Sequence, residues 1–270
     1  MDVLQVQAVI VRFGGLRALD DVSIGVGRGE ILGIAGPNGS GKTTLLNVIN
    51  GYYRPSHGRV FFLGRDITGL PPSRVARLGI TRVFQGIELF QHGTVLDNVL
   101  VGRHPFGKAN VLTAMFWLGP AIRDEAYQRQ KAEEVLDFLE ISRFRDIPVG
   151  ALPYGVQKLV GLARALAGEP KLLLLDEPAS GMNRQEKEDL SRFVLRIKFE
   201  LAIPMIWIEH DVRLLHDLCD RLVVLNFGRK VAEGAPAQVL SHPEVAALYM
   251  GQGTDQDPSL HQRGERSRER

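Results

Sequence analysis

The sequence predicts an α/β fold: a mostly parallel sheet layered with helices, an N-terminal antiparallel β subdomain, and an inserted helical subdomain. Three observations predict it. From Gln157 onward, short apolar runs alternate with stretches of helical periodicity, the pattern of parallel crossover units. Residues 4–26 carry strand patterns, with a Gly27-Arg28-Gly29 turn behind them. Between residue 95 and about residue 160 that alternation stops, and the chain becomes irregular, aromatic and then helical.

In chain order, residues 4–11 read as a strand and 21–26 as a second, together suggesting a small antiparallel sheet. Residues 31–35 are an apolar run ending in a glycine-rich turn, and 43–50 follow with apolar residues at helical spacing. After a turn bounded by proline and glycine at 54–58, residues 60–63 read as a strand. Pro71 and Pro72 then start a short helix over 73–78, since proline suits the first helical turn, and residues 81–84 are strand-like. The stretch 102–120 is irregular and unusually aromatic. Residues 124–139 form a long helix, with Tyr127, Val135, Leu136 and Leu139 at its apolar positions. Beyond it the spacing predicts helix 157–167, strand 172–175, helix 185–199, strand 205–208, helix 212–219 and strand 222–225. The end of the chain, 252–270, is polar and rich in arginine and glutamate, a composition expected to be disordered.

Bulk composition narrows the function. At 270 residues, 44% hydrophobic and 24% charged, the chain has enough apolar surface for one large core. A net charge of +2 carries no global footprint for nucleic acid, so any anion binding must be local. The lone Cys219 has no partner for an intrachain disulfide, which fits a reducing compartment. The N-terminus lacks the basic and apolar regions of a signal peptide. The strongest apolar runs, 172–175 and 205–208, fall far short of the ~20 residues a membrane-spanning helix needs. If the protein serves a membrane, another subunit supplies the spans.

Local anion binding has a clear candidate in Gly36-Pro37-Asn38-Gly39-Ser40-Gly41-Lys42-Thr43, which fits the phosphate-binding P-loop pattern and lies between a predicted strand and a predicted helix. Its glycines let consecutive backbone N–H groups curl around phosphate oxygens, and the helix N-terminus adds partial positive charge. Lys42 places a cation near the terminal phosphates, Thr43 offers a hydroxyl to Mg²⁺, and Thr44 continues the same turn. The predicted core is therefore that of a P-loop NTPase.

Three more predicted strand ends carry chemistry. Leu172-Leu173-Leu174-Leu175-Asp176-Glu177 is an apolar strand that delivers two carboxylates at its C-terminal end, where ligands gather in open α/β sheets. Asp176 suits Mg²⁺, directly or through water, and Glu177 suits polarising an attacking water. Gln85, after residues 81–84, can ligate Mg²⁺ and sense the γ-phosphate. His210, after residues 205–208, can hydrogen-bond the γ-phosphate or the water. Each is a common loop residue alone; their weight comes from the set.

In order, the P-loop, Gln85, Leu152-Pro153-Tyr154-Gly155-Val156-Gln157-Lys158, Asp176-Glu177, Ser180-Gly181-Met182-Asn183 and His210 resemble the motif series of ABC ATPases. The resemblance covers nearly all of residues 4–251. It implies one ATPase domain over 1–251, with a core of about 1–85 and 160–251 and a helical subdomain of about 86–159, followed by the 252–270 tail. It also implies a dimer in which two ATP molecules, each with Mg²⁺, are sandwiched between one subunit's P-loop and the other's signature segment. Phe13 would stack on adenine, and Tyr154 and Gly155 would face the partner's nucleotide. The signature segment departs from the usual Leu-Ser-Gly-Gly-Gln: Pro153 stands in place of the serine and Val156 in place of the glutamine, which points toward an unequal pair of ATP sites. Within the family, Arg82-Val83-Phe84-Gln85 and Thr94-Val95-Leu96-Asp97-Asn98 look most like ATPase subunits of branched-chain amino-acid importers. That subgroup implies permease subunits as partners, a second ATPase subunit in a homodimer or a heterodimer, an indirect solute-binding protein, and a peripheral place on the cytoplasmic side of the cell membrane. Similar ATPases serve urea or amide uptake or lipid extraction. A soluble ABC switch is disfavoured, because the chain has neither a second P-loop nor a sustained heptad.

Overall fold

The computed structural model describes residues 2–86, 88–106 and 119–250. In chain order the strands are β1 (Leu4–Phe13), β2 (Leu16–Val26), β3 (Ile31–Ala35), β4 (His57–Phe62), β5 (Arg65–Asp66), β6 (Ile80–Val83), β7 (Leu172–Asp176), β8 (Met205–Ile208), β9 (Arg221–Asn226) and β10 (Arg229–Gly234). The helices are α1 (Lys42–Ile49), α2 (Pro72–Leu78), α3 (Val95–Arg103), α4 (Gly119–Phe138), α5 (Tyr154–Ala167), α6 (Arg184–Leu201), α7 (Val212–Leu218), α8 (Pro236–Leu240) and α9 (Pro243–Met250).

Period-two patterning explains the first sheet, an antiparallel array in the order β2-β1-β4-β5. Leu4, Val6, Val9 and Val11 of β1 are all buried. A register shift between Val6 and Val9, where Ala8 takes a positive φ of 49°, moves the apolar face by one residue and keeps Val9 inward.

The second sheet runs β10-β9-β3-β8-β7-β6, parallel throughout except for β10. Its strands are continuous apolar runs because both faces are covered. Ile31 and Ala35 of β3, Leu173 and Leu175 of β7, and Met205 and Trp207 of β8 join one apolar cluster. Leu32, Ile34, Leu172, Leu174, Ile206 and Ile208, the alternate residues, join the other. The second cluster also holds the inner face of the antiparallel sheet, which seats the N-terminal strands over α1.

Helices α3, α4 and α5 pack on one another beyond the β6–β7 side, contributing Val95, Leu96, Val99, Ala132, Leu136 and Val160 to the first cluster. Sequence periodicity did not single out α3, whose valines and leucines favour strand as readily as helix. Its start is set instead by a capping box, with the Thr94 side chain accepting from Asp97 N and the Asp97 side chain accepting from Thr94 N. Likewise α5 begins at Tyr154 rather than 157, immediately after Pro153. Strands β5 and β10 and helices α8 and α9 were also not anticipated; β10 is a largely polar hairpin partner of β9, and α8 and α9 are short and start on Pro236 and Pro243. Of the stretch 102–120, residues 102–106 complete α3 and a following 3-10 turn, residues 107–118 lie outside the described residues, and α4 starts at Gly119. The 252–270 tail also lies outside them. No helix among the described residues is long and apolar enough to cross a membrane.

Candidate functional site

Four neighbouring strands, β3, β8, β7 and β6, are mutually parallel, so their C-terminal ends open on one edge of the sheet. The P-loop leaves β3, His210 follows β8, Asp176 and Glu177 end β7, and Gln85 follows β6. Connectivity alone thus gathers all the site residues predicted from these strands.

The loop between β3 and α1 requires glycine at two positions. A Cβ on Gly36, at φ +146°, would lie 2.2 Å from Leu225 O and 2.7 Å from Ser40 Oγ. Gly41 is the left-handed N-cap of α1 at φ +104°, and a Cβ there would meet Ala18 O at 2.7 Å. The first turn of α1 has neither a side-chain cap nor an acidic residue, leaving its N–H groups for an external anion. Ser40 Oγ is buried with no hydrogen-bond partner. A phosphate group fits such a cradle, because it brings acceptors to donors the protein leaves unpaired.

Lys42 is 5% exposed, and its Nζ donates to Gly36 O at 2.8 Å and Pro37 O at 3.0 Å. Burial pushes the ammonium below its ordinary range, while Glu177 and Asp176 oppose that shift. Thr43 and Asn38 are exposed beside it and Thr44 is half-buried. A cleft of about 410 Å³ runs from this loop past Arg17 and Phe13 to Glu177. Phe13 is not a core aromatic: it is 46% exposed at the cleft rim, edge-on to Tyr53 at 5.1 Å.

Glu177 sits at φ +48°, a strained backbone for a non-glycine residue, with its N–H bonded to Ile208 O at 2.9 Å. Both carboxylate oxygens are engaged. Gln85 Nε2 donates to Oε2 at 2.6 Å, and His210 Nε2 lies 2.7 Å from Oε1. Thr43, Gln85 and Asp176 offer a hydroxyl, an amide oxygen and a carboxylate, the oxygen set that Mg²⁺ takes.

Six contacts carry roles that sequence reasoning missed. Arg82 forms a buried ion pair with Asp176, the only signal for which was a cation three residues ahead of Gln85. Asn47 accepts from the other arm of Arg82 at 2.6 Å. Glu209, 5% exposed, accepts Ala179 N–H at 2.8 Å, and burial raises its carboxyl. Lys158 donates to Gln85 O. At the start of α5, Gly155 N–H donates to Glu186 Oε1 at 3.2 Å and the Tyr154 hydroxyl to Ser180 O at 3.3 Å, so this chain's own groups occupy the signature turn.

A family model described as ABC transporter matches residues 19–180. This chain belongs to the ABC transporter ATP-binding family. It is 35% identical to the high-affinity branched-chain amino acid transport ATP-binding protein BraF of Pseudomonas aeruginosa over 250 residues, covering 93% of this chain and 98% of BraF. It superposes with a TM-score of 0.82, at 36% identity, on an ABC transporter ATP-binding cassette in its ADP conformation, covering 93% of this chain and 99% of that one. A dimeric cassette in a post-hydrolysis state bound to ADP and Pi matches with a TM-score of 0.72 at 25% identity, covering 86% of this chain and 98% of that one. The chain is thus an ABC-type ATPase that energises transport, an ATP- and ADP-binding cassette.

Proposed function

We propose that this ABC ATPase drives a membrane importer for branched-chain or related amino acids, bound peripherally on the cytoplasmic side of the cell membrane. The likeness to BraF over nearly the whole of both chains supports the cargo class. Permease subunits would supply the membrane spans and a solute-binding protein would select the cargo. Helices α3, α4 and α5 form the helical subdomain, which receives the permease while the remaining sheet binds nucleotide.

The observation that carries the catalytic reading is the double engagement of Glu177 by Gln85 and His210. Glu177 is the general base that polarises the attacking water. While both contacts stand, they fix the carboxylate's orientation and draw on its negative charge, which weakens it as a base toward water. Arrival of a γ-phosphate gives His210 a new acceptor, so it can turn away from Glu177, and Gln85 would turn its amide oxygen toward Mg²⁺ were that ion bound. Base activation is thereby tied to a filled site. Thr43, Asp176 and Gln85 would hold Mg²⁺, which when bound supplies charge neutralisation for the phosphates. Lys42 exchanges its two loop carbonyls for phosphate oxygens, an exchange helped by the burial that disfavours its unpaired charge. Phe13 at the rim presents a ring for the adenine. The cleft contains the groups for phosphoryl transfer to water and none for the cargo.

Glu177→Gln tests this assignment. The variant should bind ATP with near-native affinity while hydrolysis falls by a factor of about 10² or more. Native turnover in that variant would remove Glu177 from the reaction. Vesicles carrying the native complex should take up leucine or a related amino acid when ATP is enclosed; uptake of urea alone would keep the ATPase reading and overturn the cargo.

A further inference from the structure

Neither the phosphate cradle nor the base uses the buried cation beside them. Arg82 lies on β6, with its side chain 5% exposed. Its Nη2 pairs with Asp176 Oδ2, its Nη1 donates to Asn47 Oδ1 at 2.6 Å, and the Phe84 ring covers the guanidinium at 4.8 Å. Asn47 belongs to α1, so the guanidinium bridges the helix that follows the P-loop and the strand that delivers the acids. The other Asp176 oxygen, Oδ1, has no hydrogen-bond partner among the described residues.

Charge is what makes this contact informative. Asp176, Glu177 and Glu209 are three acids, each less than a tenth exposed, at neighbouring strand ends. No three such groups among the described residues converge as metal ligands, but the summed negative charge draws a divalent cation toward Asp176 unless something offsets it. Lys42 is positioned toward the phosphate side, on the loop carbonyls. Arg82 is directed at the carboxylate itself, and its planar guanidinium presents fixed donors to Asp176 and Asn47 at once.

We propose that Arg82 is a positioning residue acting as an internal counter-ion: it fixes Asp176 through Oδ2, leaves Oδ1 for the metal, and offsets the acids so that metal enters only with the nucleotide's phosphates. The inference rests on Asp176 being a Mg²⁺ ligand. Phosphate oxygens add the negative charge and the further ligands that the neutralised acid lacks. Metal occupancy then reports nucleotide rather than the ambient level of divalent cation.

The test uses the full chain and reads metal binding rather than turnover. Mn²⁺ alone is titrated by electron paramagnetic resonance, and the Mg²⁺ concentration that half-maximally tightens ADP binding is measured by calorimetry. Native protein and Arg82→Lys, which keeps the charge, should take up no Mn²⁺ without nucleotide. Arg82→Met should bind Mn²⁺ alone and should need about tenfold less Mg²⁺ for ADP. Arg82→Gln serves the same purpose if Arg82→Met does not fold. An Arg82→Met protein that ignores Mn²⁺, or that needs unchanged or more Mg²⁺, overturns the proposal, as does Arg82→Lys behaving like Arg82→Met. Native protein whose ADP affinity is indifferent to Mg²⁺ overturns the metal reading as well, which separates the two failures.

Discussion

Glu209 shows how a side chain that touches no substrate can still shape the site. It lies between Ile208, the last residue of the buried strand β8, and His210, and its carboxylate holds the Ala179 amide of the loop that follows Glu177. Burial raises its carboxyl above the ordinary 4.5. The folded protein therefore holds that proton more tightly than the unfolded chain does. The resulting stabilisation is complete in acid below 4.5 and is lost as pH rises from there through the raised folded value. Glu209→Gln keeps an oxygen for Ala179 and removes the titration. Its stability relative to native protein should therefore improve as pH rises from below 4.5 through the raised folded value, read from denaturant midpoints. Superimposable pH profiles for the two proteins would refute this. At this scale the sequence was most legible where residue type and strand end coincide, as for Lys42, Gln85, Asp176, Glu177 and His210. It was silent on Arg82, Glu209 and Glu186, because an ion pair or buried hydrogen bond between residues 94 or 30 apart leaves no local pattern.

Helix packing supplies the next level. Gly102, near the end of α3, sits against α5 so closely that a Cβ would lie 2.1 Å from Arg164 O. Beside it Arg103, 4% exposed, donates to Ala167 O at 2.9 Å and pairs with Glu169 at 2.6 Å. The two residues weld the C-terminal ends of α3 and α5. An alanine in an ordinary helix gains about 1 kcal/mol over glycine. Here the sign should reverse, and Gly102→Ala should lose about 1–3 kcal/mol, because a backbone carbonyl cannot yield as a side chain can. Chemical denaturation will decide it, and a stabilised variant would mean that α3 and α5 move apart at no cost. Most strands and long helices were legible from periodicity, since burial on one face or two imposes it. Helix α3 and strand β10 were not, because one depends on a cap and the other on pairing with β9 rather than on its own apolar content.

For the whole molecule, the start of α5 matters most. Its Gly155 backbone amide is bonded by Glu186, the Pro153 side chain has no hydroxyl, and the Val156 side chain has no carboxamide. A second copy would meet a signature turn already satisfied by its own chain. The Glu177→Gln chain in ATP and Mg²⁺ should accordingly remain monomeric by light scattering and should dimerise only with a different ATPase chain that carries a complete signature segment. A stable ATP-dependent homodimer would overturn this. Sequence alone exposed the missing side chains of the signature but not the carboxylate that fills in behind them, which comes from a helix 31 residues further on.

The order of the larger sheet has one more consequence. Strand β6 is its outermost member, hydrogen-bonded to β7 on a single side. Gln85 is thus mounted on the selvedge of the fabric, whereas the P-loop, Glu177 and His210 are attached to threads woven in on both sides. A tug on Gln85 from α5, delivered through Lys158, pulls first on one border thread and reaches the carboxylates next to it through the Gln85 and Arg82 side chains.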